Sequence, residues 1–453
     1  IPKHRTVIMG LDLLYIVLVV AWIIAGTSYL RWHPFFVLLI SALGLAFLLQ
    51  IPLEEIPETI STGFGAMFKN IGLLILFGAW IGVALETTNA TTAIAKGIIK
   101  KLTILPLPFV ISALGYLVSI PVFCDAAFVI LAPLTKKLAL NNTARRNALT
   151  VALSTGLFSA HVLVPPTPGP LAAAGNLQLE NLYLLLLAGG IFGLVLMLIG
   201  AFFSFYFFRK SNQQDAFDRN NLQNYFDQDT DLPSFSAAIW PLALPILLMA
   251  AASIIPLFFE GSNLLIDILL FVGDPAIALL AGVLVAFSIC KKQQQDISEI
   301  IKKGMAQAAP ILLITAMGGA LGTVIQTANL TEGINLESFS NGLGLAIPFL
   351  LAALLKSAQG SSTVAIITIS SIMLPLLPAL GFDSELGKVW VIMAIGAGSL
   401  TVSHANDSYF WIVSQLGEMP VKEAYRKHTL GTLLQGVVGF VILFCAYSVY
   451  SAF

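Results

Sequence analysis

Long apolar stretches punctuated by charge recur along the whole chain, at 8–26, 34–50, 70–88, 146–163, 182–208, 236–258, 272–290, 306–328, 388–403 and 429–451. About 20 helical residues span a hydrocarbon core, so each stretch predicts a membrane-crossing helix. The run 388–403 is the shortest and continues through a polar cluster into 409–416, which predicts one crossing broken in the middle. Two further apolar regions, 105–139 and 342–380, are interrupted near their centres. Each of their halves suits one arm of a re-entrant hairpin better than a full crossing. The pattern predicts an all-α polytopic membrane protein with about ten full transmembrane helices, two re-entrant hairpins and two broken helices.

Composition agrees. The chain is 57% hydrophobic and 10% charged, with mean hydropathy +0.90, whereas soluble domains carry about 25% charged residues. A net charge of −1 gives no footing for a nucleic-acid partner. The cysteines (Cys124, Cys290, Cys445) lie far apart in apolar stretches and form no metal or redox spacing. The first apolar run follows Lys3 and Arg5 and is long for a signal peptide, so a retained first helix is expected there.

Lys and Arg mark cytoplasmic loops. That rule puts Arg31, Lys96/Lys100/Lys101, Lys136/Lys137/Arg145/Arg146, Arg209/Lys210, Lys291/Lys292/Lys302/Lys303 and Lys422/Arg426/Lys427 inside. Acidic residues (Glu54/Glu55/Glu58, Glu260, Glu332/Glu337, Asp383/Glu385) collect at the opposite ends. The alternation places both ends of the chain outside, with only Lys3 and Arg5 disagreeing.

A repeat lies beneath this pattern. "IGVALETTNA" (81–90) aligns with "LGTVIQTANL" (321–330), and "GLFSAH" (156–161) with "SLTVSH" (399–404). Helix, interrupted hairpin and broken helix thus occur twice, and the charges give the two sets opposite orientations in the membrane. The expected organisation is an N-terminal half 1–208 with hairpin 105–139, a cytoplasmic linker 209–233, and a C-terminal half 234–453 with hairpin 342–380. Interrupted segments at matching positions of inverted halves point to a transporter's substrate site near the bilayer midplane.

Four breaks supply its chemistry. "PVFCDAAF" (121–128) carries Asp125, and an intramembrane carboxylate is a functional candidate by default. "HVLVPPTPGP" (161–170) carries His161 and Thr167 among prolines and a glycine that no regular helix accommodates. "KSAQGSSTVA" (356–365) offers Lys356, a flexible Gly360, and Ser361, Ser362 and Thr363 at a helix start suited to a carboxylate. "SHANDSYFW" (403–411) adds His404, Asn406, Asp407 and Ser408. Plainer readings exist: a helix cap for Asp125, a surface loop for 161–170, a snorkelling Lys356, a core-satisfied His404. The clustering, and His161 standing opposite His404 in the repeat, favour a shared site. Asp125, His161, His404 and Asp407 are the groups able to carry a coupling proton.

These motifs, with "GFGAMFKNIGLLILFGAWIGVALE" (63–86), occur in an order that resembles the gluconate permease (gluconate:proton symporter) family of the wider ion-transporter superfamily. The resemblance spans about 63 to 412. It implies proton-driven uptake of a small organic acid across the bacterial inner membrane by an elevator-like movement, within a homodimer and without a cofactor or metal. Three positions depart from the family pattern: Thr167 where a second His is usual, Lys356 where Arg is usual, and Tyr409 where Gly is usual. Lys lacks the planar fork with which Arg grips a carboxylate, and Tyr409 adds bulk beside the expected pocket, so these positions bear on which acid is carried. The expected function is a secondary transporter for a gluconate-, glycerate- or D-serine-like anion. A Na⁺-coupled carrier is the alternative, with a passive channel or an intramembrane enzyme more remote, since no GxSxG or HExxH motif is present.

Overall fold

In hydrocarbon each backbone amide must find its partner within the protein, and among the described residues the chain forms helices and no strands. The computed structural model describes residues 15, 18–101, 105–120, 122–139, 142–211, 232–258, 264–327, 343–405 and 407–451. Most of the linker 209–233, with Glu260, Glu332, Glu337, Pro121 and Asn406, lies outside the described residues.

An apolar helix at Leu18–Thr27 comes first. The first half then contains α1 (Pro34–Leu48), α2 (Ile56–Thr87), α3 (Ala90–Lys101), the hairpin pair α4 (Leu107–Ser119) and α5 (Cys124–Leu138), α6 (Thr143–His161), the short α7 (Pro168–Asn176) and α8 (Leu182–Ser211). The second contains α9 (Phe235–Phe258), α10 (Leu264–Gly273), α11 (Pro275–Lys292), α12 (Ile297–Gln326), the hairpin pair α13 (Ala346–Gln359) and α14 (Ser362–Met373), α15 (Glu385–Leu400), the short α16 (Ser408–Leu416) and α17 (Leu430–Tyr450). Helix starts are set by local chemistry. Asn142, Asp274, Asp296 and Ser384 accept backbone N–H bonds as N-caps.

Among the described residues seven helices are long and apolar enough to cross a membrane. They include α2, α8, α9, α11, α12 and the segment ending in α17. The seventh is unexpected: the second arm of the second hairpin continues past α14 to Leu380 and reaches span length. Pro375 and Pro378 permit this because each opens a fresh helical turn, where no amide donor is needed. The expected crossings at 34–50 and 388–403 are shorter helices, of 15 and 16 residues.

Two packing groups follow. α2 runs antiparallel along α12: Met67 faces Gly319 near one end, and Trp80 Nε1 donates to Ile301 O at 3.1 Å near the other. α1 and α11 pack against this pair, and α9 packs on α11. In the other group α4 lies on α6 and α8, while α13 lies on α15 and α15 on α17. The hairpins cross between halves. α14 packs on α7, and α5 packs on α16, so each second arm meets the short helix of the opposite half.

At one end Glu418, just after α16, ties down the first hairpin. It accepts from Lys136 Nζ at 2.7 Å and Arg146 Nη1 at 2.5 Å, and its carbonyl accepts from Arg146 Nη2 at 3.1 Å. The Lys136 hydrogen bond holds the Glu418 carboxyl below the usual carboxylate range, so the clamp is ionised at neutral pH.

Candidate functional site

The tip of the second hairpin is a single left-handed residue. Gly360 has φ 86° and ψ −7°, and its N–H closes α13 on Lys356 O at 2.8 Å. α14 begins two residues later, with Ser361 as N-cap accepting from Val364 N at 3.3 Å. The reversal brings the positive end of α14 back beside Lys356. A side chain at Gly360 forces the left-handed conformation on an L-residue at about 1–2 kcal/mol. Gly360→Ala is expected to lower the melting temperature in detergent and to slow uptake, read by comparison with the wild type.

The last break completes the tip. α15 ends at Leu400, and Val402 adopts φ 58°, a conformation that strains a β-branched residue by roughly 1–3 kcal/mol. The turn delivers Asp407, which caps α16 by accepting from Tyr409 N at 3.0 Å through Oδ1. Asp407 Oδ2 accepts from Lys356 Nζ at 2.6 Å and from Ser403 Oγ at 2.5 Å. Both charged side chains are buried, at 0% and 6% exposure. Lys356 Nζ also donates to Gly360 O at 3.2 Å and stands 5.8 Å over the Phe158 ring. Snorkelling is therefore excluded for Lys356: its ammonium points inward to a carboxylate. His404 Nε2 lies 2.9 Å from Ser357 O, a second link between break and hairpin.

The first half supplies further groups. His161, the last residue of α6, is buried with Nε2 3.5 Å from Thr363 Oγ1 and Nδ1 without a hydrogen-bond partner. Its ring lies 6.4 Å from those of Phe158 and Phe123. Asp125 stands in the first turn of α5, half-buried beside Cys124 Sγ at 3.7 Å and within the electrostatic reach of Asp407 and Lys356.

Asp125, His161, Lys356, Gly360, Ser361, Ser362, Thr363, His404 and Asp407 thus gather at the meeting of tips and breaks. Thr167 is buried, but its hydroxyl turns back to Val164 O at 2.5 Å within its own loop. Ser408, one residue past the cap, is exposed. Asn406 lies outside the described residues.

Sequence reasoning missed three residues that stand behind the site and half-saw a fourth. Ser403 stands in the motif that carries His404. Ser154 lies seven residues before His161, on the same helical face. His428 stands in a π-helical turn (Tyr425–Thr429) and is fully buried against Tyr409, with ring centroids 5.7 Å apart. Lys422, Arg426 and Lys427 next to it read as a solvated basic loop and hid it. Tyr409, noted in the sequence only for its bulk, packs on Phe158 and Phe128 and donates to Ser154 O at 3.0 Å.

The profile of the GntP family permeases matches residues 11–449. The chain is 31% identical over 425 residues to an uncharacterized permease of Haemophilus influenzae, covering 90% of this chain and 85% of that protein. It is 28% identical over 439 residues to a gluconate permease of Pseudomonas aeruginosa, covering 94% and 95%. Among solved structures, the YdaH transporter of Alcanivorax borkumensis has a similar fold, with TM-score 0.59 over 87% of this chain and 88% of that one at 17% identity.

Proposed function

The chain belongs to the GntP family of permeases, and from that premise we propose that it takes up a small hydroxy-acid anion of the gluconate, glycerate or D-serine type by proton symport. As a permease it is a transporter rather than an enzyme, and it is a multi-pass protein of the bacterial inner membrane.

The observation that carries the proposal is the buried Lys356–Asp407 pair at the meeting of hairpin tip and helix break. With no substrate the pair is neutral overall. A proton taken alone leaves Lys356 uncompensated, and a substrate carboxylate taken alone leaves two anions on one ammonium. Either charged site is costly to carry through a low-dielectric region. When both enter, the protonated Asp407 releases the ammonium, the substrate carboxylate takes its place, and the site is neutral again. Coupling follows from that exclusion of the half-loaded states.

In this reading Lys356 and the start of α14 hold the carboxylate. The hydroxyls of Ser361, Ser362 and Thr363, with His161, His404 and Asn406, serve the substrate's hydroxyl groups. Asp125, His161 and His404 stand beside Asp407 as titratable neighbours. The halves 1–208 and 234–453, joined by the linker 209–233, act as inverted repeats. Their hairpins and broken helices form the moving unit of an elevator, and α2, α9, α11 and α12 form the scaffold of a homodimer. Pro165 and Pro166 line one cavity with Pro241, Pro245 and Met249, and a seam with such apolar walls suits a unit that slides.

The test is uptake into proteoliposomes of gluconate, glycerate, D-serine and a dicarboxylate, each with an inward proton gradient, an inward Na⁺ gradient, or neither. Accumulation of a hydroxy acid under the proton gradient alone is expected. Accumulation driven only by Na⁺ would overturn the coupling ion, and equilibration without any gradient dependence would overturn active transport.

A further inference from the structure

A chain of buried hydrogen bonds leads from the π-helical turn to the ion pair and has no part in holding a substrate. His428 Nδ1 lies 3.1 Å from Ser154 Oγ, and His428 Nε2 lies 3.1 Å from Ser403 Oγ. Ser403 Oγ in turn donates to Asp407 Oδ2 at 2.5 Å. All three residues ahead of Asp407 are fully buried.

The bookkeeping of hydrogens gives this chain a direction. Each serine hydroxyl has one hydrogen. Ser403 commits its own to the Asp407 carboxylate, so toward His428 it can only accept, and Nε2 must carry a proton. A neutral imidazole then has a bare Nδ1, which accepts from Ser154. Ser154 has a choice, because Val151 O also stands 3.1 Å from its Oγ. Every bond from Ser154 to Asp407 therefore points the same way, toward the carboxylate. If an imidazolium forms instead, Ser154 swings its hydrogen to Val151 O and both ring nitrogens donate. The surroundings accommodate both states of the ring without rearranging a side chain, which a histidine kept only for packing does not require.

We infer that His428 and Ser403 form the last two links of a proton path into Asp407, an inference that rests on the proton-coupled reading above. A proton arriving at Nδ1 makes the imidazolium. Its Nε2 proton passes to Ser403 Oγ as the Ser403 hydroxyl proton passes to Asp407 Oδ2. Asp407 becomes the carboxylic acid, Ser403 is again a neutral hydroxyl with its hydrogen now turned to His428, the ring is neutral with its proton on Nδ1, and one proton has moved. The path resets when the ring exchanges tautomer and the Ser403 hydroxyl rotates back. The charged or titratable groups facing the ring are few. Tyr409 approaches from α16, Asp407 acts from the break, and Lys356 acts from α13 behind it. Ser154 is the facing polar group from α6. On its own turn, Arg426 and Lys427 are turned to Glu423, at 4.0 and 3.0 Å. A π-helical turn is a common device for presenting a functional side chain, and here it presents His428 to the path.

The test uses the full-length protein in proteoliposomes with a trapped pH dye, with gluconate or the acid that the uptake panel identifies as probe. Substrate-driven proton entry, gradient-driven accumulation and substrate counterflow are each measured in wild type, His428→Gln, Ser403→Ala and Ser403→Thr. His428→Gln and Ser403→Ala are expected to reduce proton entry and accumulation by about two orders of magnitude, the scale on which a positioned proton-transfer group acts. Counterflow, which needs no net proton movement, stays within a few-fold of wild type, and Ser403→Thr restores coupling because it restores the hydroxyl. Proton entry at the wild-type level in His428→Gln, with the wild type itself coupled, overturns the path alone. No substrate-driven proton entry in the wild type overturns the proton-coupled reading and the path with it. Loss of counterflow in step with accumulation, in all variants including Ser403→Thr, assigns the residues to structure and also overturns the path.

Discussion

Asp407→Asn is expected to abolish gradient-driven uptake and to lower stability by about 3–5 kcal/mol, the cost of leaving one member of a buried ion pair uncompensated. The stranded charge is Lys356. Its remaining neighbours are the Gly360 carbonyl at 3.2 Å and the face of Phe158 at 5.8 Å, neither of which replaces a carboxylate. The reverse change, Lys356→Met, should destabilise less. Asp407 keeps the Ser403 hydroxyl and the Tyr409 amide as donors, and hydrogen bonds to a carboxylate offset part of its desolvation. The asymmetry is a signature of the local network, since a pair judged on Coulomb energy alone gives equal losses. The double variant Lys356→Met/Asp407→Asn removes both charges and should recover most of the lost stability, because a buried pair contributes little relative to neutral residues of similar size. It should recover no transport, because neither the substrate's cation nor the proton's carboxylate remains. Thermal unfolding in detergent, with counterflow and accumulation assays, reads all three variants. Strictly additive losses in the double variant would show that the two residues act independently and would sink the exchange mechanism.

The sequence made some of this legible for physical reasons. Membrane immersion forbids unpaired backbone, so prolines at 165–170, a glycine at 360 and a polar cluster at 403–408 inside apolar runs can only be breaks facing protein or water. Their matching positions in the two halves pointed to one site, and Lys356 was visible as a charge too deep for comfort. Its partner was not legible. Asp407 lies 51 residues away, past the end of α15, and reaches Lys356 because α13 packs on α15, an approach of which spacing carries no record. His428 was hidden for a different reason. A histidine beside two basic residues has the composition of a loop, and only the π-helical turn rotates its ring inward while Lys427 turns out to Glu423. The crossing pattern was legible as apolar length, yet length blurs where proline intervenes. The Leu374–Leu380 segment carries the hairpin arm onward through two prolines that a helix interior would reject, because each falls at the start of a turn.

The second large effect is expected at Gly156, midway between Ser154 and Phe158 on α6. A Cβ built there falls inside the van der Waals envelope of the Ser112 carbonyl on α4, and one built at Gly115 lies 2.7 Å from Leu153 O and 2.9 Å from Leu157 N. The two helices therefore meet backbone to backbone through reciprocal glycines, as membrane helices do where no hydrophobic force drives them together and close packing must suffice. Because the obstructing atoms are backbone rather than flexible side chains, the contact cannot yield by changing a rotamer. Gly156→Ala must separate α4 from α6, and overpacking of this kind costs about 1–3 kcal/mol. The functional consequence should exceed the stability loss. α4 is the first arm of the hairpin whose second arm carries Asp125 in its first turn, and α6 ends at His161, so a wedge between them pulls apart two groups of the candidate site. Gly156→Ala is expected to reduce transport strongly while the protein still folds, and Gly156→Leu to prevent folding. Gly44→Ala and Gly65→Ala are the matched controls, since a Cβ at either position meets nothing within 4 Å. There the gain in helix propensity, about 1 kcal/mol for Gly to Ala, should leave both stability and uptake at or above the wild-type level. A Gly156→Ala protein indistinguishable from those controls in melting temperature and uptake would mean that the first hairpin is not held by this contact, and that Asp125 takes its position from α16 instead.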